Sequence, residues 1–181
     1  MRLLAALAAL LAFNLLVPVS AAQINTRPIG VSEADLKAVF VLRLLDFIQR
    51  EEPLENTRIC LLGRTETTAA IERLVVSKGS SDLSIRELGQ GDPYGSCHLL
   101  FDGDGFLSQL GEEESYPHVL TVSDAEGFAY QGGMVELVRE NNRVKLTINA
   151  ATVDAADIYL SSRLLMLANV IEADERVKNG D

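Results

Sequence analysis

Tryptophan is absent from the chain, and cysteine and histidine occur only twice each. The two cysteines, Cys60 and Cys97, form no Cys-x-x-Cys pair. A thioredoxin-like dithiol, which needs its sulfurs close together at a helix start, is therefore disfavoured. Basic residues are few, 16 Lys and Arg against 26 Asp and Glu, for a formal net charge of −10. That balance argues against nucleic acid or anionic lipid as a general partner, because both require local positive charge to displace counterions or settle on a surface. Its plainest consequence is solubility. No Pro/Gly/Ser linker, internal repeat or low-complexity tract divides the chain, and beyond the first residues no uncharged run is long enough to insert into a bilayer.

What is present begins with MRLLAALAALLAFNLLVPVSAAQ. Arg2 precedes an Ala- and Leu-rich run that is interrupted by Asn14 and Pro18 and closed by Ser20, Ala21 and Ala22, the pattern of a secretory signal peptide cleaved after Ala22 or Ala21. The reading is a leader over 1–22, an extension over 23–31, one α/β domain over 32–172 and a polar tail over 173–181. Cleavage leaves about 159 residues, enough for one domain with a sizeable core. Only Arg2 is lost with the leader, so the exported form carries about 11 net negative charges. Export also places Cys60 and Cys97 in an oxidising compartment, where an intramolecular disulfide is the default.

Ser32 and Asp35 form a capping-box-like start, and Leu36, Val39, Phe40, Leu44, Phe47 and Ile48 recur at helical spacing, predicting a helix from about Ser32 to Arg50. Arg58 to Leu62 (RICLL) is a short apolar strand ended by Gly63, and a helix starts at Thr65 to Thr68 with Ile71, Leu74 and Val75 on its inner face. Leu83, Ile85 and Leu88 alternate as a half-buried strand, and Cys97 to Phe101 is apolar enough to be central in a sheet. Asp102-Gly103-Asp104-Gly105 turns the chain into a short helix near Phe106 to Leu110, and His118 to Val122 is another strand. Gly132-Gly133 opens a strand over Met134 to Arg139, which Asn141-Asn142 joins to the alternating Val144, Leu146 and Ile148 as an antiparallel hairpin. Leu160 to Ile171 (LSSRLLMLANVI) carries Leu164, Leu165, Leu167, Ala168 and Ile171 along one side, as a closing helix would. The fold class is α/β: a single-domain sandwich with a mixed, mostly parallel sheet, a C-terminal antiparallel hairpin and helices on both faces.

Six segments then occur in a telling order: ICLLG (Ile59 to Gly63), CHLLF (Cys97 to Phe101), LTVSD (Leu120 to Asp124), GGM (Gly132 to Met134), LTIN (Leu146 to Asn149) and SSRLLMLA (Ser161 to Ala168). With a leader ahead of them, they resemble the YfiR-like family of bacterial periplasmic proteins over about Ser32 to Ile171. One departure is plain: where the family ends its first helix with Phe-x-x-Trp-Pro, Phe47 here is followed by Ile48, Gln49, Arg50 and Glu51. The resemblance implies a periplasmic inhibitor that binds the periplasmic part of an inner-membrane diguanylate cyclase and holds down cyclic-di-GMP synthesis. It also implies relief by redox change and by an outer-membrane lipoprotein as a further partner. A homodimer is left open.

Cys60 and Cys97 each sit one or two residues into an apolar strand, and adjacent strands come within disulfide range, at roughly 5 Å between Cα atoms. The bridge then serves either as a structural staple or as a redox-sensitive link. A metal site at Cys97 and His98 is disfavoured, since neighbouring strand residues point to opposite faces. Asp102 and Asp104 lack the later ligands of a calcium loop and read as a solvated turn, as do Glu112 to Glu114. Ser123-Asp124 and Ser161-Ser162 read as helix caps, since neither histidine stands in a motif that would make it their base. No acid, base, nucleophile, metal or cofactor set assembles, so the expectation is a non-enzyme without a cofactor. A partner-binding patch is expected within Asn149 to Tyr159, on Asp154, Ala155, Asp157 and Ile158. Two alternatives stand beside these readings: a short amphipathic helix packed on the sheet for that segment, and, for the protein, a periplasmic small-molecule sensor using the crevice at the carboxyl ends of its parallel strands.

Overall fold

In the computed structural model, residues 31–49, 56–109, 117–141 and 143–172 are described, all within one compact unit that starts at Val31. The expected leader, most of the extension, the C-terminal tail, the Glu112 to Glu114 cluster and Asn142 lie outside them.

Ser32 starts helix α1 (Glu33–Leu44): its hydroxyl accepts the Asp35 N–H and donates to the Asp35 carboxylate, which satisfies one of the orphan donors of the first turn. The helix ends earlier than the predicted Arg50. A 3-10 turn (Leu45–Phe47) follows, and Ile48–Gln49 becomes strand β1, paired antiparallel with β8 (Tyr159–Leu160). Backbone pairing with a segment far along the chain overrides the helical period there. Strand β2 (Thr57–Leu62) runs through Gly63, whose φ of +79° makes the turn, into α2 (Glu66–Lys78). The Thr65 and Thr68 side chains cap each other's N–H groups at its start, and Gly79 ends it in the left-handed conformation.

The remaining strands are β3 (Leu83–Leu88), β4 (Leu99–Asp102), β5 (Leu120–Ser123), β6 (Val135–Glu140), β7 (Arg143–Asn149) and β9 (Asn169–Ile171). They join β2 in a seven-stranded sheet of order β3-β2-β4-β5-β6-β7-β9, parallel except for the β6–β7 hairpin. This is the mixed, mostly parallel α/β sheet that the alternation of elements predicted.

The pleat divides each central strand between two covers. Ile59, Leu61, Leu99, Phe101, Leu120, Val122, Val135, Leu137 and Ile148 join one cluster with Ala38, Val41, Ala70 and Ile71 of α1 and α2, and with Val153 of α3 (Ala150–Ala155) and Leu164 of α4 (Ser162–Leu165). On the opposite side Cys60, Leu62 and Leu100 meet Leu88, Tyr94, Cys97 and Val119, with Phe106 and Leu107 of a 3-10 turn packed against them. Helices were expected on both faces, but the described α-helices gather on one, while short 3-10 turns and loops close the other, because the β3–β4 and β5–β6 connections over that face are too short for an α-helical crossover. Further along that second face the buried side chains are polar. Glu136 accepts the N–H groups of Gly127 and Ala129, and the Asn149 amide donates to Ala129 O, so the sheet supplies the hydrogen bonds that fix the covering loop.

The predicted closing helix over Leu160 to Ile171 is corrected. Only Ser162–Leu165 is helical, capped by Ser161; Leu160 belongs to β8 and Asn169–Ile171 pairs parallel with β7 as the sheet edge. Asn169 and the β-branched pair Val170-Ile171 suit a strand, and the free edge of β7 supplies the partner.

Candidate functional site

Cys60 and Cys97 are joined in a disulfide with a Cα–Cα distance of 5.8 Å. Cys60 lies within β2 and Cys97 just ahead of β4, so the bridge ties two neighbouring central strands. Both residues are buried, at 0% and 4% exposure, within the apolar cluster of the second face. His98 lies outside that cluster: its Nδ1 accepts the Arg58 N–H at 2.9 Å and its backbone pairs with Arg58 and Leu120. His118 stands exposed before β5, with its Nδ1 3.8 Å from the Asp157 carboxylate. The bridge consumes Cys97, so these three side chains build no metal centre.

The sheet order reverses between β2 and β4: the chain leaves β2 for β3 on one side and returns to β4 on the other. In open α/β sheets, ligands bind at the carboxyl ends of the strands at such a point. Here the turns that follow β2 and β4 pack closely at that point. A Cβ at Gly63 would overlap the Asp104 carboxylate, and one at Gly103 would overlap the Thr65 side chain. Gly103 N also donates to Leu62 O, which draws the two strand ends together.

Asp102, expected in a solvated turn, is instead fully buried, while Asp104 is exposed. The correction has a simple cause: Asp102 is the last residue of central strand β4 and lies beneath the turn that follows. Its Oδ2 accepts the Leu107 N–H at 2.7 Å, and the Phe106 and Asp104 N–H groups also serve the carboxylate, yet Oδ1 has no hydrogen-bond partner. Burial outweighs those donors and holds the carboxyl above the usual carboxylate range. Ser123 is buried beside it, donating to Asp102 O at 2.5 Å and accepting from Ala125 N, so it ties the ends of β4 and β5 and caps no helix.

The adjacent corner is electrostatic. Lys37 of α1 places its Nζ 3.0 Å from both Asp124 Oδ2 and Glu33 Oε1, Thr67 Oγ1 donates to the same Asp124 oxygen, and Arg139 reaches Glu33 at 2.6 Å. Burial works against the Lys37 ammonium, but Glu33 and Asp124 outweigh it and hold its pKa above the usual lysine value. The hydrogen bonds from Arg139 and Lys37 hold Glu33 below its ordinary value. The network clamps α1 and α2 onto the end of β5.

The expected partner patch divides. Asp154, Ala155 and Asp157 are exposed, but Ile158, at 4%, is part of the main core with Val153 and Ala156 and offers no surface. Sequence reading passed over the larger apolar surface nearby. Met166 and Leu167 are 79% and 73% exposed, Val170 of the edge strand 44%, and Tyr159 64%; α3, which carries Asp154 and Ala155, packs against β9. The only signal was that SSRLLMLANV continues apolar beyond the single turn that its Ser cap supports.

Among the described residues, no three His, Cys, Asp or Glu side chains gather to hold a metal, and no helix is long and apolar enough to cross a membrane. Disulfide-stapled strands, closely packed turns at the switch point and an exposed apolar rim characterise this α/β domain. Comparison with protein families gives its family: residues 34–169 match the one described as YfiR/HmsC-like, and the chain belongs to it. The family is one of periplasmic, non-catalytic regulators in cyclic-di-GMP signalling. Among solved structures, a conserved domain protein from Vibrio cholerae O1 biovar El Tor strain N16961 is similar at a TM-score of 0.52 and 8% identity, a likeness of fold alone. The similarity covers 77% of this chain and 60% of that one. No curated protein matches.

Proposed function

We propose that this protein represses an inner-membrane signalling protein, a diguanylate cyclase, by binding its periplasmic part, and that it does so through the surface formed by Asp154, Ala155, Asp157, Tyr159, Met166, Leu167 and Val170. Family membership supports the partner class. The observation that carries the surface is the exposure of Met166 and Leu167 next to β9, the terminal strand of the sheet, where large apolar side chains gain by being covered. The flanking Asp154 and Asp157 suit a partner segment that combines apolar and basic residues. The close packing of Asp104 and Thr65 at the switch point counts against the small-molecule sensor. The buried bridge acts as a staple that keeps β2 and β4 in register, with redox response confined to conditions that open the cover.

The test is a binding titration against the purified periplasmic domain of an inner-membrane diguanylate cyclase from the same cells, with cyclic-di-GMP measured in those cells. Met166→Glu combined with Leu167→Glu should weaken binding by at least tenfold and release repression while leaving the melting temperature within a few degrees, since both side chains are already in water. Ala155→Glu should act in the same direction. Unchanged binding by both variants removes this surface. Ile158 is unsuited to such a test, because a charge there would unfold the core.

A further inference from the structure

The orphaned Asp102 Oδ1 is the one buried side-chain oxygen or nitrogen among the described residues that lacks a hydrogen-bond partner. An ionised carboxylate removed from water needs its lone pairs matched, and here one oxygen is served by backbone N–H groups while the other meets no partner among the described residues. The Leu107 N–H on Oδ2 holds the carboxylate, so that Oδ1 stays enclosed beneath the turn and is not free to turn out to water. Two residues on stands a second carboxylate, Asp104, close enough to act on the first, so the turn concentrates negative charge that nothing within it neutralises. The contacts of Gly63 with Asp104 and of Gly103 with Thr65 leave no room for an organic cation. A bare metal ion is the ligand of the right size and sign.

We infer that the Asp102-Gly103-Asp104-Gly105 turn binds one hard divalent cation, calcium by its chemistry, through Asp102 Oδ1 and the Asp104 carboxylate. Calcium is favoured over magnesium because it tolerates irregular oxygen shells, and carboxylates one residue apart are how calcium loops supply their first ligands. Two carboxylates are fewer than a full loop provides, so backbone and water oxygens complete the shell and affinity falls in the weak range of extracellular modules, a Kd of about 10⁻⁴ to 10⁻³ M. The sequence by itself spoke against such a site, since the later ligands of an EF-hand are missing; the burial of Asp102 is what changes the reading. The inference is independent of the proposed partner.

Equilibrium dialysis of the purified chain with ⁴⁵Ca²⁺ should find one saturable ion per chain. Calcium at tenfold above Kd should raise the folding equilibrium constant about elevenfold, read as a melting-temperature increase over the same protein in EGTA at equal ionic strength. Asp102→Asn should lose both the ion and the increase, while Asp154→Asn, an exposed acid elsewhere, keeps both. Asp104→Asn, at an exposed position, should weaken binding without unfolding the chain and so serves if Asp102→Asn folds poorly. Absence of a saturable ion in the wild type, or calcium binding that survives both Asp102→Asn and Asp104→Asn, overturns the site.

Discussion

Removing the crosslink by replacing Cys60 and Cys97 with alanine should destabilise the domain by about 4 kcal/mol. The bridge spans a sequence separation of 37. Closing a loop of that length removes about 13 cal/mol/K of chain entropy from the unfolded state, or about 4 kcal/mol at 25 °C. Against a whole-domain stability of about 5 to 15 kcal/mol the loss is severe. Because both residues are buried, the alanines also leave small voids, which add to the effect in the same direction. With a urea m-value of about 2 kcal/mol/M, the unfolding midpoint followed by circular dichroism should fall by about 2 M. A second reading separates a staple from a switch: in the native protein, dithiothreitol should cleave the bridge only as fast as the cover over Cys60, Leu62, Tyr94 and Leu100 opens, so the rate should rise steeply with sub-denaturing urea. A midpoint shift below about 0.5 M, or native-state reduction as fast as in an unfolded peptide, refutes the reasoning.

Two further predictions concern the corner where α1 meets the sheet. Lys37→Met should cost about 1 to 3 kcal/mol in denaturant unfolding, because Asp124 loses a cation while keeping only its hydrogen bond from Thr67; Lys37→Met with Asp124→Asn should recover part of that loss. The pH dependence follows from Glu33, whose folded pKa lies below its ordinary 4.5. Its contribution is present above that value and is lost as pH falls through the folded pKa, so Glu33→Gln should flatten the acid limb of stability below about pH 4.5, a change visible in melting temperatures at pH 3 to 7. An acid limb identical to wild type counts against it.

Much of the fold was legible because its signals are local. A run such as RICLL before Gly63, with Thr65 ahead of a helical period, can hardly be other than strand, turn and helix, and the alternation of Val144, Leu146 and Ile148 after Asn141 marks a hairpin. The candidate site was less so. Asp154, Ala155 and Ile158 are close in sequence, yet only the helix's placement against the sheet sends Ile158 inward and leaves Ala155 outside. Asp102 has the same neighbours that any acidic turn has, and its burial comes from the strand order that makes β4 central.

The order of residues alone determined which segments alternate, where helices begin, and that two cysteines stand beside apolar strands, since capping, turn geometry and side-chain period act over a few residues. Tertiary structure decided the rest: that α1 stops at Leu44 so β1 can pair with β8, that Asn169–Ile171 extends the sheet instead of a helix, and that Met166 and Leu167 stay in water. In each case the local preference is worth only a fraction of a kcal/mol per residue, and the hydrogen bonds and burial offered by a distant strand outweigh it.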